Sequence, residues 1–220
     1  MSLTLYYHPL SSYCHKVLVA LYEHGVAFEP RLINLGDATD RARLQALWPL
    51  VKFPVLSDGE RGNNVAESSV IIEYLDHYYP AAHRLVPEDF DAALAVRLWD
   101  RVFDNHVHAP MQQIVLDRIL GNGADMSQQR AALLAAYALI DTQVATTTWA
   151  AGDAFSMADC AAAPALFYAS TLQPFGPQCT HLVGYFERLM ARPSVQRVLQ
   201  EARPYFTMYP FAESIPERFR

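Results

Sequence analysis

Lysine is nearly absent from this chain. Of 220 residues only Lys16 and Lys52 are lysine, arginine carries the rest of the positive charge, and 23 acidic residues outnumber 17 basic ones for a net charge of −6. Phosphate binding needs clustered Lys/Arg, so this balance speaks against a nucleic-acid surface. No run approaches the roughly 20 apolar residues that a spanning helix needs, which speaks against a membrane protein. MSLTLYYHPL lacks both a basic and an apolar leader segment, so no signal peptide is expected there. The three cysteines, Cys14, Cys160 and Cys179, are odd in number and widely spaced, as suits a reducing compartment rather than a disulfide framework. Low-complexity tracts and internal repeats are also missing. What remains is a globular, cytoplasmic chain, 52% apolar and long enough for one large domain or two small ones.

The period of the apolar residues changes along the chain. Up to about residue 80, strand-like and helix-like segments alternate. LTLYY (3–7) reads as a strand, and Ser12 to His24 as a helix closed by Gly25, with Val17, Leu18, Leu21 and Tyr22 on one face. AFEPRLI (27–33) is a second strand and Asp37 to Leu47 a second helix. FPVL and NNVA form a hairpin across DGERGN, and Glu67 to Tyr79 is a third helix stopped by Pro80. The order βαβαββα predicts a mixed four-stranded sheet with helices on its faces. Beyond Pro87 the strand signals end. Ala92 to Leu120 reads as one long helix, followed by helices over 128–147, 156–169, 181–191 and 193–203. The expected organisation is an α/β domain over 1–80, a linker over 81–89 and an all-α domain over 90–220. Its tail, 204–220, is rich in aromatics and proline and is expected to be irregular, folding back over the helical domain to cover a pocket.

Residues 8–18, HPLSSYCHKVL, put two serines and a cysteine at the start of the first helix. A helix N-terminus stabilises an anion through unpaired N–H groups and the positive end of its dipole. In S-x-x-C spacing Ser11 stands where the attacking thiol of a C-x-x-C pair would stand, so the position that lowers a thiol pKa has no sulfur. Two readings remain for Ser11 or Ser12. Either hydroxyl caps the helix, or it donates a hydrogen bond to a thiolate that arrives on a small molecule. Three further stretches bear on the choice. In KFPV, Pro54 begins a strand as either an edge-strand proline or a cis bond. Glu67-Ser68 opens the third helix, where N–H groups suit a carboxylate and Glu67 suits an ammonium. Ser156-x-x-Asp159 is a capping box before an apolar run, a folding signal.

Together SSYCHKV, KFPV, AESSVIIEYLDHYYP and GDAFSMADCAAAP resemble the cytosolic glutathione S-transferases, in order and spacing over nearly the whole chain. The resemblance implies a thioredoxin-like N-terminal domain, an all-helical C-terminal domain and a homodimer. It also implies glutathione as cosubstrate without a metal. Among the classes it is most similar to the serine-type theta and zeta proteins, whose first serine falls on Ser11, with Ser12 as a second hydroxyl. It implies a cis Pro54, so that the Phe53 backbone pairs with the cysteinyl part of glutathione. Glu67 and Ser68 then hold the γ-glutamyl end and Lys52 lies near the glycyl end. Two departures stand out: Tyr13 in place of the cysteine of S-S-C, and Phe53 in place of valine. Tyr7 is the rival thiolate stabiliser, because tyrosine-type classes carry their phenol near the end of the first strand.

The expected activity is conjugation of glutathione to small electrophiles. The alternatives are a glutathione-dependent isomerase of the maleylacetoacetate or maleylpyruvate type, a dehalogenase, and a non-catalytic binding module of the same fold. His8, Tyr13, Phe103, His106 and Met111, with Trp99, are candidates for the electrophile pocket. His106 and His108 point to different helix faces, which rejects a metal pair. Asp100 or Asp104 is a candidate to reach a partner subunit's ligand.

Overall fold

The computed structural model describes residues 3–220, and the chain divides into two compact units after Leu85. The first unit holds strands β1 (Leu3–Tyr7), β2 (Glu29–Leu32), β3 (Val55–Asp58) and β4 (Asn63–Ala66). Its helices are α1 (Ser12–His24), α2 (Ala38–Leu47) and α3 (Ser68–Tyr78). The sheet order is β2-β1-β3-β4, with β1 parallel to β2 and antiparallel to β3, and β3 antiparallel to β4. β2 is exposed along its whole length, which lets an edge strand accommodate Pro30. Its limits are narrower than 27–33. β3 begins at Val55 rather than at Phe53, because Pro54 has no N–H to give the ladder.

Pleating separates the faces of the sheet. Tyr6 and Val55, paired across β1 and β3, join Ile33 and Leu44 in a cluster beneath α2, and Leu44 is the one buried residue that this helix contributes. Leu5 and Leu56, the next pair, face the other way and are fully buried. α1 is buried almost all round, so its apolar surface exceeds the single stripe read from spacing. It ends at Gly25, whose φ of 63° lets its N–H reach the carbonyls of Leu21 and Tyr22. α1 and α3 are joined by a buried pair: His24 Nε2 lies 2.8 Å from Asp76 Oδ1, which also accepts the Leu85 N–H at 3.0 Å. At the far end of β3, Asp58 accepts hydrogen bonds from Tyr74 (2.7 Å) and Tyr79 (2.6 Å).

The second unit is helical. The expected single helix over 92–120 is α4 (Phe90–Val102), then a six-residue π-helical segment (Phe103–His108), then α5 (Ala109–Leu120). Pro110 cannot donate to the carbonyl four residues back, and the widened segment precedes it directly. α6 (Ser127–Val144), α7 (Met157–Leu172), α8 (Thr180–Ala191) and α9 (Pro193–Ala202) follow. α7 is the buried axis of this unit and includes Pro164. The tail is more ordered than its composition suggests. It runs as short 3₁₀ turns, Phe206 and Phe219 pack on Phe167, and Tyr209 meets Thr171 Oγ1 at 2.9 Å. Arg218 grips Glu187 with two hydrogen bonds, of 2.8 and 2.6 Å. Among the described residues no helix is long and apolar enough to cross a membrane.

Candidate functional site

One end of the sheet gathers most of the residues singled out in the first unit. Tyr7 ends β1, Pro54 immediately precedes Val55, and Glu67 follows Ala66, the partner of Val55. α1 starts five residues beyond Tyr7, and α3 starts directly after Glu67, so both helix starts open at that end. A hydrogen bond of 2.9 Å from Lys16 Nζ, in the second turn of α1, to Ser69 Oγ, in the first turn of α3, ties the two helices together.

Ser11 is the N-cap of α1. Its backbone is extended (φ −78°, ψ 117°), and its Oγ accepts the N–H of Cys14 at 3.3 Å. That bond uses a lone pair and leaves the hydroxyl proton available, so capping and donation to an outside anion are compatible. Cys14 beneath it is fully buried. Burial pushes its thiol up to about 12, and hydrogen bonds with Ser11 and the His8 backbone offset this only in part. A thiol so placed stays protonated near neutrality and is no nucleophile. Ser12 is buried; Tyr7 and Tyr13 are half-buried.

The loop before α1 is held from three sides. Ser11 N–H donates to the His8 carbonyl at 3.0 Å, and Leu10 N–H to His8 Nδ1 at 3.2 Å. His15 Nε2 meets the Pro9 carbonyl at 2.5 Å, which places the proton on Nε2. Burial drives the His15 pKa down to about 4, against a partial upward pull from the Pro9 carbonyl. The folded chain therefore binds this proton less readily than the unfolded chain, whose histidine titrates near 6.5. Stability from this group is complete above pH 6.5 and is lost as pH falls toward 4, by about 3 kcal/mol. His15→Gln should flatten that part of the curve, read from urea midpoints at pH 7, 5.5 and 4.5; an equally steep fall in the variant would refute the assignment.

His8 stacks on Phe53, with ring centroids 5.9 Å apart and planes at 18°. The Phe53–Pro54 bond is cis. Lys52 is exposed, next to Val51, whose φ is 53°. Glu67 has a φ of 67°, left-handed backbone that costs a non-glycine residue about 1 to 2 kcal/mol. Its side chain makes no capping bond to α3. The first turn of α3 is thus left open at a strained residue, Glu67 itself is exposed, and Ser68 is buried.

The pocket candidates are spread over both units. His8 and Tyr13 belong to the first unit. Phe103 and Met111 are buried, and Phe103 packs on Trp99 at 6.2 Å. The π-helical segment packs on α7, some 50 residues on, and Phe103 is buried in that packing. His106 is exposed and faces a cavity of about 530 Å³ between the π segment with α5 and α6. Asn105, Gln113, Gln129, Ala132 and Leu139 share its wall, and no residue of 204–220 does. The expectation that the tail covers a pocket is not met at this cavity, because the tail is engaged on α7 and α8. Asp100 and Asp104 are buried, and both accept from Arg101, at 2.6 and 2.5 Å. Among the described residues no group of His, Cys, Asp or Glu is arranged to hold a metal ion.

The family model described as glutathione S-transferase, N-terminal domain, matches residues 5–83, and its C-terminal counterpart matches residues 104–193. The probable maleylacetoacetate isomerase of Vibrio cholerae is 42% identical over 91 residues. That match spans 40% of this chain and 41% of the relative, about two-fifths of each. Glutathione S-transferase U22 of Arabidopsis thaliana is 27% identical over 192 residues, 85% of either chain. A glutathione S-transferase of Methylobacillus flagellatus KT, solved with GSH bound, is 25% identical. It superposes with a TM-score of 0.77 over 89% of this chain and 98% of that one.

Proposed function

We infer the activity of this chain from one premise: it belongs to the glutathione S-transferase family. It conjugates glutathione to small electrophiles. The thiol of glutathione sits at the start of α1, where the Ser11 hydroxyl donates to the thiolate, with Ser12 as a neighbouring hydroxyl. Phe53 offers its backbone to the cysteinyl part of the tripeptide. Glu67 takes the ammonium of the γ-glutamyl end, the open first turn of α3 at Ser68 takes its carboxylate, and exposed Lys52 serves the glycyl end. The sulfur then attacks an electrophilic carbon, forming a C–S bond as a leaving group departs with its electron pair. The chain contributes orientation and preorganised donors, and the cosubstrate contributes the nucleophile.

The observation that carries this reading is the buried Cys14 under a capping serine. With the chain's own thiol protonated, a thiolate at this helix start has to come from a guest. Calorimetric titration of glutathione in two buffers of different ionisation heat tests it. Binding with proton release is expected; no binding at millimolar glutathione would overturn the reading. Glu67→Ala should raise the glutathione KM by about tenfold or more, since a desolvated charge pair is lost, with kcat at saturating glutathione nearly unchanged. An unaltered KM would remove Glu67 from the site.

The chain works as a homodimer in the cytoplasm. Phe90, Leu94 and Leu98 form an exposed apolar stripe on α4, 71%, 53% and 59% exposed, which supports burial against a second copy. A second reading draws on the Vibrio cholerae relative: the thiolate adds to a cis olefin, the bond rotates, and the thiolate is expelled. Isomerisation returns glutathione, whereas conjugation consumes one molecule per turnover, so free-thiol titration during the reaction separates the two.

A further inference from the structure

Asn122–Gly123 is the one Asn-Gly pair in the sequence, and it lies exposed in the connection between α5 and α6. A glycine after asparagine has no Cβ to shield its amide, so the backbone nitrogen can approach the side-chain carbonyl carbon. The surroundings leave that path open. Gly121, in left-handed backbone at φ 66°, and Asn122 both donate their N–H groups to the Asp117 carbonyl. Ala124 N–H donates to Asp117 Oδ1 at 3.0 Å. The amides on either side are thus fastened, whereas among the described residues nothing accepts the Gly123 N–H and nothing holds the Asn122 side chain. The comparable positions are guarded. Asn34 is followed by Leu35, and its Oδ1 is occupied by the Gly36 N–H at 2.9 Å. Asn63 and Asn64 lie in β4 and Asn105 in the π-helical segment, and none of them precedes a glycine. Asp58 does precede Gly59, but its buried carboxylate accepts from Tyr74, Tyr79 and the N–H groups of Glu60 and Arg61.

We propose that Asn122 is a site of self-modification: the Gly123 nitrogen attacks Asn122 Cγ, and the side-chain amide leaves as ammonia. A new N–C bond replaces the Cγ–Nδ2 bond, and the Gly123 amide proton passes through solvent to the departing nitrogen. Water then opens the cyclic imide at either carbonyl. One opening gives aspartate; the other gives isoaspartate, which routes the main chain through the former side chain. Water is the only co-reactant, and glutathione has no part in the step. Either product places a carboxylate just past the C-terminal end of α5, where the helix dipole is negative, in a loop that already carries Asp117 and Asp125. Isoaspartate also lengthens the main chain beside Gly121, the cap of α5. The modification therefore loosens the last turn of α5 and its junction with α6, and it accumulates with the age of the molecule.

The test incubates the purified full-length chain in warm, mildly alkaline buffer, beside Asn122→Gln and beside the same chain unfolded in urea. Released ammonia, intact mass and peptide maps are followed, and isoaspartate is detected by enzymatic methylation. The native chain should release one ammonia per molecule, gain the mass of an amide-to-acid change and map both products to Asn122 alone. Asn122→Gln, whose longer side chain closes a less favourable ring, should lose that release. Unfolding should change the Asn122 rate little, because the folded loop already exposes it, and should add isomerisation at Asp58–Gly59, which the fold protects. The fully modified native chain should melt about 2 to 4 °C below the fresh one, through the carboxylate at the α5 terminus. Ammonia release by Asn122→Gln at the wild-type rate overturns the proposal, as does modification mapped to another asparagine. A native rate far below the unfolded rate also overturns it, because the fold would then guard the site. An unshifted melting temperature after complete modification overturns the loosening of α5.

Discussion

Alanine at Ser11 should lower kcat for conjugation by about two orders of magnitude, the usual cost of removing one preorganised donor from a developing or resident anion. Glutathione binding should change little, because the proposed binding mode assigns the γ-glutamyl and glycyl ends to Glu67, Ser68 and Lys52. The same substitution removes the helix cap, at a cost of about 1 kcal/mol in stability. Ser11→Asp separates the two roles. Aspartate accepts the Cys14 N–H as serine does, so it keeps the cap, but its carboxylate has no proton to donate. It should therefore be as inactive as the alanine variant while keeping the wild-type melting temperature. Tyr7→Phe is the control for the rival phenol and should leave kcat within about threefold. Full activity in Ser11→Ala together with collapse in Tyr7→Phe would transfer the thiolate to the tyrosine.

Asp159→Ala should cost about 3 to 5 kcal/mol of unfolding free energy, measured by urea titration. The carboxylate accepts from Ala150 N–H (2.9 Å), Ser156 N–H (2.9 Å), Ser156 Oγ (3.1 Å) and Tyr185 Oη (2.6 Å). Alanine leaves those donors buried with no acceptor. Burial raises the Asp159 pKa, and the four hydrogen bonds counter it only in part. The folded chain thus holds this proton more tightly than the unfolded chain. Its contribution to stability declines as pH rises out of the ordinary carboxylate range, opposite in slope to that of His15. Ser156→Ala removes only the hydroxyl and should cost about 1 to 2 kcal/mol. A loss below 1 kcal/mol for Asp159→Ala would mean that its partners rehydrate, and that the box is dispensable.

What could be read before the structure followed from local rules. Gly25, Pro80 and the Ser156/Asp159 pair announce helix ends through backbone freedom or side-chain hydrogen bonds that act within four residues. The features that escaped are products of distant packing. The widened turn at Phe103–His108 packs on α7, some 50 residues on in sequence. Lys16 looks like any helical lysine until Ser69, 53 residues away, arrives beside it. The tail's aromatic residues suggested disorder of path, yet Phe167 and Tyr168 supply the flat partners that organise it. In the first unit, the residues chosen for glutathione lie at one end of the sheet because strand register puts them there. In the helical unit, no such register exists, and Phe103 and Met111 turned out to be core.

The Leu85 amide lies at the last residue of the first unit, and its proton is spent on Asp76 inside α3. The chain therefore leaves that unit from a fixed exit point, set by the same carboxylate that fastens His24 of α1. For amide-proton exchange this single N–H becomes a natural gauge. It trades with solvent when its bond to Asp76 opens, so its exchange rate reports how firmly the end of the first unit is held on α3.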